Sequence, residues 1–314
     1  MMPVLIAALV LLAIYMGGCL WGFRFACARV QDPDWEDPES LAKTIWKDHP
    51  ISIPGAVQWL REHNAQDVTV ESHDGLTLRG RYVPAEKPIG TIVIFHGYHS
   101  NYVSDYGGIF QQYHDWGLNL LLCRQRSHGE SDGRYITFGV KERLDVLTWL
   151  QFHNRVHGVD NVYLGGISMG ASTVMYAAGE ELPPNVRGIV ADCGFTSPRE
   201  ILTLVASSMK LPGRLMVPGV CLWAKALDHT DLLSCDSRKT LARAKVPVLF
   251  IHGKADDFVP CWMSEESYAA CASEKHLVLV EGAGHGMSYM VDKPRVKAAL
   301  KDFYYGHLSD QYTK

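Results

Sequence analysis

The hydrophobic pattern opens on a block: residues 2–21 carry no charge and are dense in Val, Leu, Ile and Ala. About 20 apolar residues suffice to cross a bilayer, so residues 1–27 are expected to be a membrane anchor. Residues 28–66, acidic and containing Trp and Pro, read as a linker to a domain over 67–314. Within that domain the pattern becomes regular. Runs at 68–72 and 76–83 flank Asp74-Gly75, a hairpin signal, and predict two antiparallel strands. Further apolar runs at 91–94, 118–123, 161–165, 188–192, 246–251 and 277–280 predict strands, separated by segments of helical period. One helix is expected around 140–152, with Val140, Leu144, Leu147 and Leu150 on its buried face. A second covers 171–178 with Gly179 as its C-cap, and a third begins at Asp292 and Pro294 and buries Val296, Leu300 and Phe303. Strands alternating with helices predict an α/β fold around a mostly parallel sheet. The alternation breaks between about 194 and 240, in a stretch containing Met209, Leu211, Leu215, Met216, Val217, Leu222 and Trp223.

Candidate chemistry sits where these predicted strands end. Gly166-Ile167-Ser168-Met169-Gly170 spells G-x-S-x-G between the strand at 161–165 and the helix at 171–178, which places Ser168 on a sharp turn. Gly166 and Gly170 lack Cβ atoms and so let strand and helix approach closely. That motif alone arises by chance in unrelated chains. A serine nucleophile also requires a base for its proton and an acid to orient the base. Asp256 follows the strand at 246–251 in His252-Gly253-Lys254-Ala255-Asp256-Asp257, with Asp257 as its rival. His285 follows the strand at 277–280 in Gly282-Ala283-Gly284-His285-Gly286, a loop position that core packing explains poorly.

These segments, together with His96-Gly97-Tyr98-His99 after the strand at 91–94, resemble the α/β-hydrolase superfamily. The likeness is to its serine esterase and lipase-like members, with their H-G, G-x-S-x-G, H-G-x-x-D-x-x-V-P and G-x-G-H motifs, and it covers roughly residues 67–305. The chain order Ser168, Asp256, His285 is that of the superfamily. The resemblance implies a central sheet with helices on both faces and a small helical cap formed by about 194–240. It further implies Ser168 as nucleophile, His285 as base and Asp256 as orienting acid. The backbone N–H groups of Tyr98 and Met169 would form the oxyanion hole, with His96, Gly97, Gly166 and Gly170 shaping the motifs. The segment from Arg124 to Asp132 departs from the family pattern D-x-R-x-x-G-x-S, because Arg124 stands in place of aspartate while Arg126, Gly129 and Ser131 match. Arg126 and His128 are read as loop-organising. The cap is either a lid lined for apolar substrate or a pair of packing helices. The implied activity is cleavage of small or lipid-like carboxylic esters through an acyl-enzyme. Thioesterase, amidase and acyl-peptide hydrolase chemistry use the same triad, and a membrane-tethered binding protein of this fold is the non-catalytic alternative.

Composition narrows the partners. The 314 residues carry a formal net charge of −4 and no Lys/Arg block, which gives a nucleic acid no electrostatic support. The expected partners are a small-molecule acyl substrate and, through residues 2–21, a membrane. Arg24 and Arg29 follow the apolar run, which favours a cytoplasmic catalytic domain. A cleaved signal peptide or lipoprotein site is the alternative to an uncleaved anchor, but the amino end lacks a basic n-region. The eight cysteines show no CxxC zinc spacing or compact disulfide spacing. The 14 histidines include no HExxH, so neither a metal nor a cofactor is expected.

Overall fold

The computed structural model describes residues 1–29, 53–158 and 160–308. Its centre is an eight-stranded sheet, built from β1 (Gln66–Glu71), β2 (Thr77–Val83), β3 (Gly90–Phe95), β4 (Leu118–Cys123), β5 (Val162–Ile167), β6 (Val186–Asp192), β7 (Val248–Gly253) and β8 (Lys275–Val280). The spatial order is β1-β2-β4-β3-β5-β6-β7-β8. The Asp74-Gly75 turn joins β1 and β2 as the expected antiparallel pair, β2 is antiparallel to β4, and every later pairing is parallel. Strands β3, β4 and β7 are buried along their whole length, as strands covered by helices on both faces must be.

Two apolar layers sandwich the sheet. One holds α2 (Ile53–Glu62), α3 (Tyr102–Tyr106), α4 (Phe110–Asp115) and α12 (Lys293–Gly306). The other holds α5 (Glu142–Val156), α6 (Met169–Ala177), α9 (Ser237–Leu241) and α10 (Trp262–Ala270). The short α11 (Ser288–Val291) precedes α12, whose first turn is capped by the Asp292 side chain accepting from the Arg295 N–H. A third cluster joins Phe23 and Cys27 of α1 (Met2–Cys27) to Phe138, Met169, Phe195 and Val217, under a cap of α7 (Pro198–Ser208) and α8 (Gly213–Asp228).

The structure differs from the sequence reading at several points. The linker expected over 28–66 contains α2, whose Val57 and Leu60 are buried in the sheet core; the part of that reading at 30–52 lies outside the described residues. Helix α5 buries Val146, Trp149, Leu150 and His153, while Leu144 and Leu147 are half-buried. A bulky Trp149 outcompetes the leucines for the seat against β2, where its ring lies 3.2 Å from the Cβ position of Gly80. Gly179 is not a left-handed C-cap; Ala178 caps α6 in right-handed geometry. Gly179 instead gives room to α9, because a Cβ there would lie 2.9 Å from Thr240 Cβ. The cap is also narrower than 194–240, since α9 packs on α6 and α10 within the main domain.

Helix α1 is long and apolar enough to cross a membrane. Its carboxyl-terminal turns pack into the main domain. Cys19, Phe23 and Cys27 are buried at i, i+4 and i+8, the spacing that brings side chains onto one helix face, and that face packs on α8.

Candidate active site

The carboxyl ends of β3, β5, β6, β7 and β8 lie along one edge of the sheet, where the loops after parallel strands gather. Ser168 stands between β5 and α6 with φ 55° and ψ −115°, a conformation that strains a residue with a side chain. The neighbouring backbone permits only glycine on either side. A Cβ on Gly166 would lie 2.2 Å from Gly170 O, and one on Gly170 would lie 2.0 Å from Phe95 O. The Ser168 N–H donates to Asp192 O at 2.8 Å, which secures the turn against β6.

Three side chains meet at this turn. His285 Nδ1 lies 2.7 Å from Asp256 Oδ2, and His285 Nε2 lies 2.9 Å from Ser168 Oγ. The carboxylate fixes the proton on Nδ1, so Nε2 is left to accept from the serine hydroxyl. Asp256 Oδ1 accepts from the N–H groups of Phe258 and Val259 at 3.0 and 2.8 Å. Its Oδ2 also lies 3.2 Å from His252 Nε2. Burial alone would raise the Asp256 pKa, but hydrogen bonds from His252 and His285 outweigh it and hold the carboxyl well below the usual carboxylate range. Asp257 is exposed and makes none of these contacts.

The loop after β3 abuts Ser168: a Cβ on Gly97 would be 3.4 Å from Ser168 Cβ. Among the described residues, neither the Tyr98 N–H nor the Met169 N–H donates to a protein acceptor. Three groups, the half-buried Asp105 and the buried His96 and His128, hold this loop. Asp105 accepts from Gly97 N–H at 2.6 Å and from Ser100 Oγ at 2.5 Å. His96 accepts at Nε2 from Gln125 N–H at 3.1 Å and donates from Nδ1 to Gly97 O at 2.8 Å. His128 accepts at Nε2 from His99 N–H at 3.2 Å and donates from Nδ1 to Arg126 O at 2.9 Å. Burial pushes His96 well below the ordinary histidine value and His128 down to about 4, so both act as neutral staples. Arg126 donates to Asp145 at 2.6 and 2.7 Å and to Asp74 at 2.8 and 3.0 Å, tying α5 to the β1–β2 turn. Arg124 pairs with Glu130 at 2.8 Å.

A cavity of about 570 Å³ opens on Ser168. Its walls are apolar: Phe138 and Phe195 from the loops after β4 and β6, Ile201, Leu202 and Val205 from α7, Met216 and Val217 from α8, and Phe25 from α1. No Asp or Glu is among its described lining residues. The cap's expected apolar stretch therefore divides. Met209, Leu211, Met216 and Val217 line the cavity, Leu215 and Leu222 face outward, and Trp223 Nε1 donates to Met16 O on α1 at 2.9 Å.

The sequence reading missed the support of this site. His252, at the end of β7, is fully buried against Asp256, with Ser264 Oγ 2.6 Å from its Nδ1. The four-residue spacing between His252 and Asp256 was the available signal. Asp105 had none beyond its place in the first turn of a helix capped by Asn101. Cys193 lies near Asp256 and His285, with possible ligand atoms of the three within 4.8 Å of one another. Burial pushes its thiol well above the ordinary value, and Asp256 and His285 are already committed to each other and to Ser168.

With this geometry in view, three comparisons bear on ancestry. A family model described as serine aminopeptidase, S33, matches residues 86–230. The uncharacterized protein YqkD of Bacillus subtilis is 27% identical over 240 residues, covering 74% of this chain and 77% of its own. The uncharacterized protein Rv2307c of Mycobacterium tuberculosis is 29% identical over 240 residues, covering 76% and 78%. Among solved structures, the Pyrococcus furiosus esterase Pf2001 superposes with a TM-score of 0.64 at 22% identity, covering 79% of this chain and 94% of that one. An acylaminoacyl peptidase of Pyrococcus horikoshii gives 0.60 at 14%, covering 79% and 42%. Sheet order, elbow and family match agree: the chain has the α/β-hydrolase fold.

Proposed function

We propose that this protein is a serine hydrolase that cleaves carboxylic esters through an acyl-enzyme. The observation that carries the reading is the continuous hydrogen-bonded line Asp256–His285–Ser168, whose serine lines an apolar cavity. His285 Nε2 takes the Ser168 proton as Oγ attacks the ester carbonyl. The N–H groups of Tyr98 and Met169 receive the oxyanion, a stabilisation worth about 2.7–4 kcal/mol per donor in comparable sites. His285 then protonates the leaving alcohol, and a water repeats the sequence on the acyl-enzyme. Asp256 fixes the tautomer and stabilises the imidazolium, which its own depressed pKa equips it to do.

Amide cleavage is the second reading, favoured by the aminopeptidase description of the matching model and by the acylaminoacyl peptidase neighbour. An aminopeptidase needs an anionic group to receive the substrate's ammonium, and the cavity's described lining supplies none. Ester cleavage is therefore the preferred activity. The test is labelling of the full-length protein with a fluorophosphonate probe beside Ser168→Ala, followed by turnover of p-nitrophenyl esters and aminoacyl anilides. Ser168-dependent labelling with ester turnover is expected; absence of labelling overturns the reading, and faster anilide turnover favours the second.

A further inference from the structure

Helix α1 is two structures in one. Along residues 2–14 its Val4, Leu5, Leu9, Leu11 and Ile14 are each more than half exposed. From Tyr15 onward it is docked: Tyr15 Oη donates to Leu215 O at 2.9 Å, and Cys19 and Phe23 are 1% exposed. The fit against α8 is tight, since a Cβ on Gly219 would lie 2.4 Å from Cys19 Sγ. The helix end is fastened to the catalytic loops, with Ile136 N–H donating to Cys27 O at 2.6 Å and Tyr98 Oη to Ala26 O at 2.9 Å.

The docked half also lines the cavity that opens on Ser168, through Trp21, Gly22, Arg24, Phe25 and Ala26. Trp21, Phe25 and Met209 line it while remaining 52%, 53% and 43% exposed, so they stand at its opening. On α8, Leu215 and Leu222 are 62% and 59% exposed. The free stretch 2–14 reaches only about 20 Å at 1.5 Å per residue, short of the ~30 Å hydrocarbon core of a bilayer. Inserting the helix therefore draws its docked turns, and the apolar side chains beside them, to the membrane surface. Arg24, the first charged side chain after the apolar run, then falls at headgroup level.

We propose that α1 seats the cavity mouth at the acyl boundary of a bilayer and forms one wall of the acyl-binding site, so that the enzyme draws long-chain acyl esters laterally from the membrane. This rests on the serine-hydrolase reading. The test uses full-length protein in phosphatidylcholine vesicles, with p-nitrophenyl dodecanoate and butanoate as substrates. Dodecanoate turnover is expected to follow the ester's mole fraction in the enzyme's own bilayer at constant bulk concentration. In Gly22→Leu the new Cβ lies 3.3 Å from Val220 Cγ2 on the facing helix α8, and the side chain narrows the cavity; Phe25→Ala removes part of its rim. Each variant is expected to lower the dodecanoate-to-butanoate ratio of kcat/KM at least fivefold. A rate set by bulk concentration, or a ratio unchanged in both variants, overturns the proposal; so does a wild-type protein that hydrolyses neither ester. Fluorophosphonate labelling in the same vesicles separates the two ideas: Ser168-dependent labelling retained alongside those failures sinks membrane supply alone, whereas its loss sinks the hydrolase reading too.

Discussion

Asp256 stands between two imidazoles, those of His252 at 3.2 Å and His285 at 2.7 Å, and accepts two backbone N–H groups besides. Asp257, one residue on, is exposed. Replacing Asp256 by Asn removes the acceptor that keeps the His285 proton on Nδ1, so kcat is expected to fall by about 10⁴, while Asp257→Asn keeps it within about twofold, as surface changes do. Steady-state ester kinetics on the two variants check this, and a small effect in Asp256→Asn would reverse the assignment. Asp192 behaves in the opposite way. Burial pushes its carboxyl up to about 7 despite the pull of His252 and His285, and Oδ1 has no hydrogen-bond partner among the described residues. Its folded value thus lies above the ~3.9 of an unfolded chain. Below that value both states hold the proton. As pH rises toward about 7 the unfolded state ionises first, so stability is lost across this window and the loss is complete above it. Asn cannot ionise, so the Tm of Asp192→Asn relative to wild type is expected to improve between about pH 5 and about pH 8 in thermal denaturation. A difference independent of pH would show that Asp192 titrates normally.

At the scale of elements, the elbow is a packing problem solved by two missing side chains. The first turn of α6 passes so close to the end of β3 that a Cβ on Gly170 would sit 2.0 Å from Phe95 O and 2.7 Å from His96 O. Backbone atoms of a central strand cannot yield, so Gly170→Ala is expected to destabilise the fold by more than the ~1–3 kcal/mol usual for overpacking and to slow Ser168 labelling. Gly306→Ala, with open space around its Cβ in the last turn of α12, should stay within about 1 kcal/mol of wild type. Denaturant midpoints for both variants test this. The elbow and the strands were legible because their signals are local. The run Leu118–Cys123, apolar but for Asn119, marks β4 at its observed bounds, and Asp74-Gly75 marks the first hairpin. Elements whose role depends on a distant neighbour were not. The face of α5 is set by where Trp149 fits against the sheet rather than by leucine spacing. Gly179 serves contact with Thr240, about sixty positions away in sequence, which no helix-end rule reveals.

The whole molecule is where sequence and structure diverge most. An apolar run such as residues 2–21 reads as membrane-spanning because it is hydrophobic on every side, and that same uniformity hides which face docks on protein. The contacts that reveal it join Tyr15 to Leu215 and Met16 to Trp223, roughly two hundred residues apart. Residues 1–27 are thus no detachable tether. Without them Val217, Val220 and Met216 lose the wall opposite, and Tyr98, whose N–H is assigned to the oxyanion hole, loses the acceptor that fixes its side chain. Exposing the seats of Phe23 and Cys27 gives up about 1.5–3 kcal/mol for each large side chain unburied. A fragment beginning at residue 28 is therefore expected to melt at least about 5 °C below the full-length protein in matched detergent. Because the hydrogen-bonded line from Asp256 to Ser168 lies outside the missing segment, the fragment's losses should fall in two tiers: reduced labelling of Ser168 from the loosened Tyr98 loop, and a steeper fall in turnover of long-chain than of short-chain esters. A fragment with unchanged Tm and an unchanged chain-length profile would mean that the helix rests against the domain without shaping it.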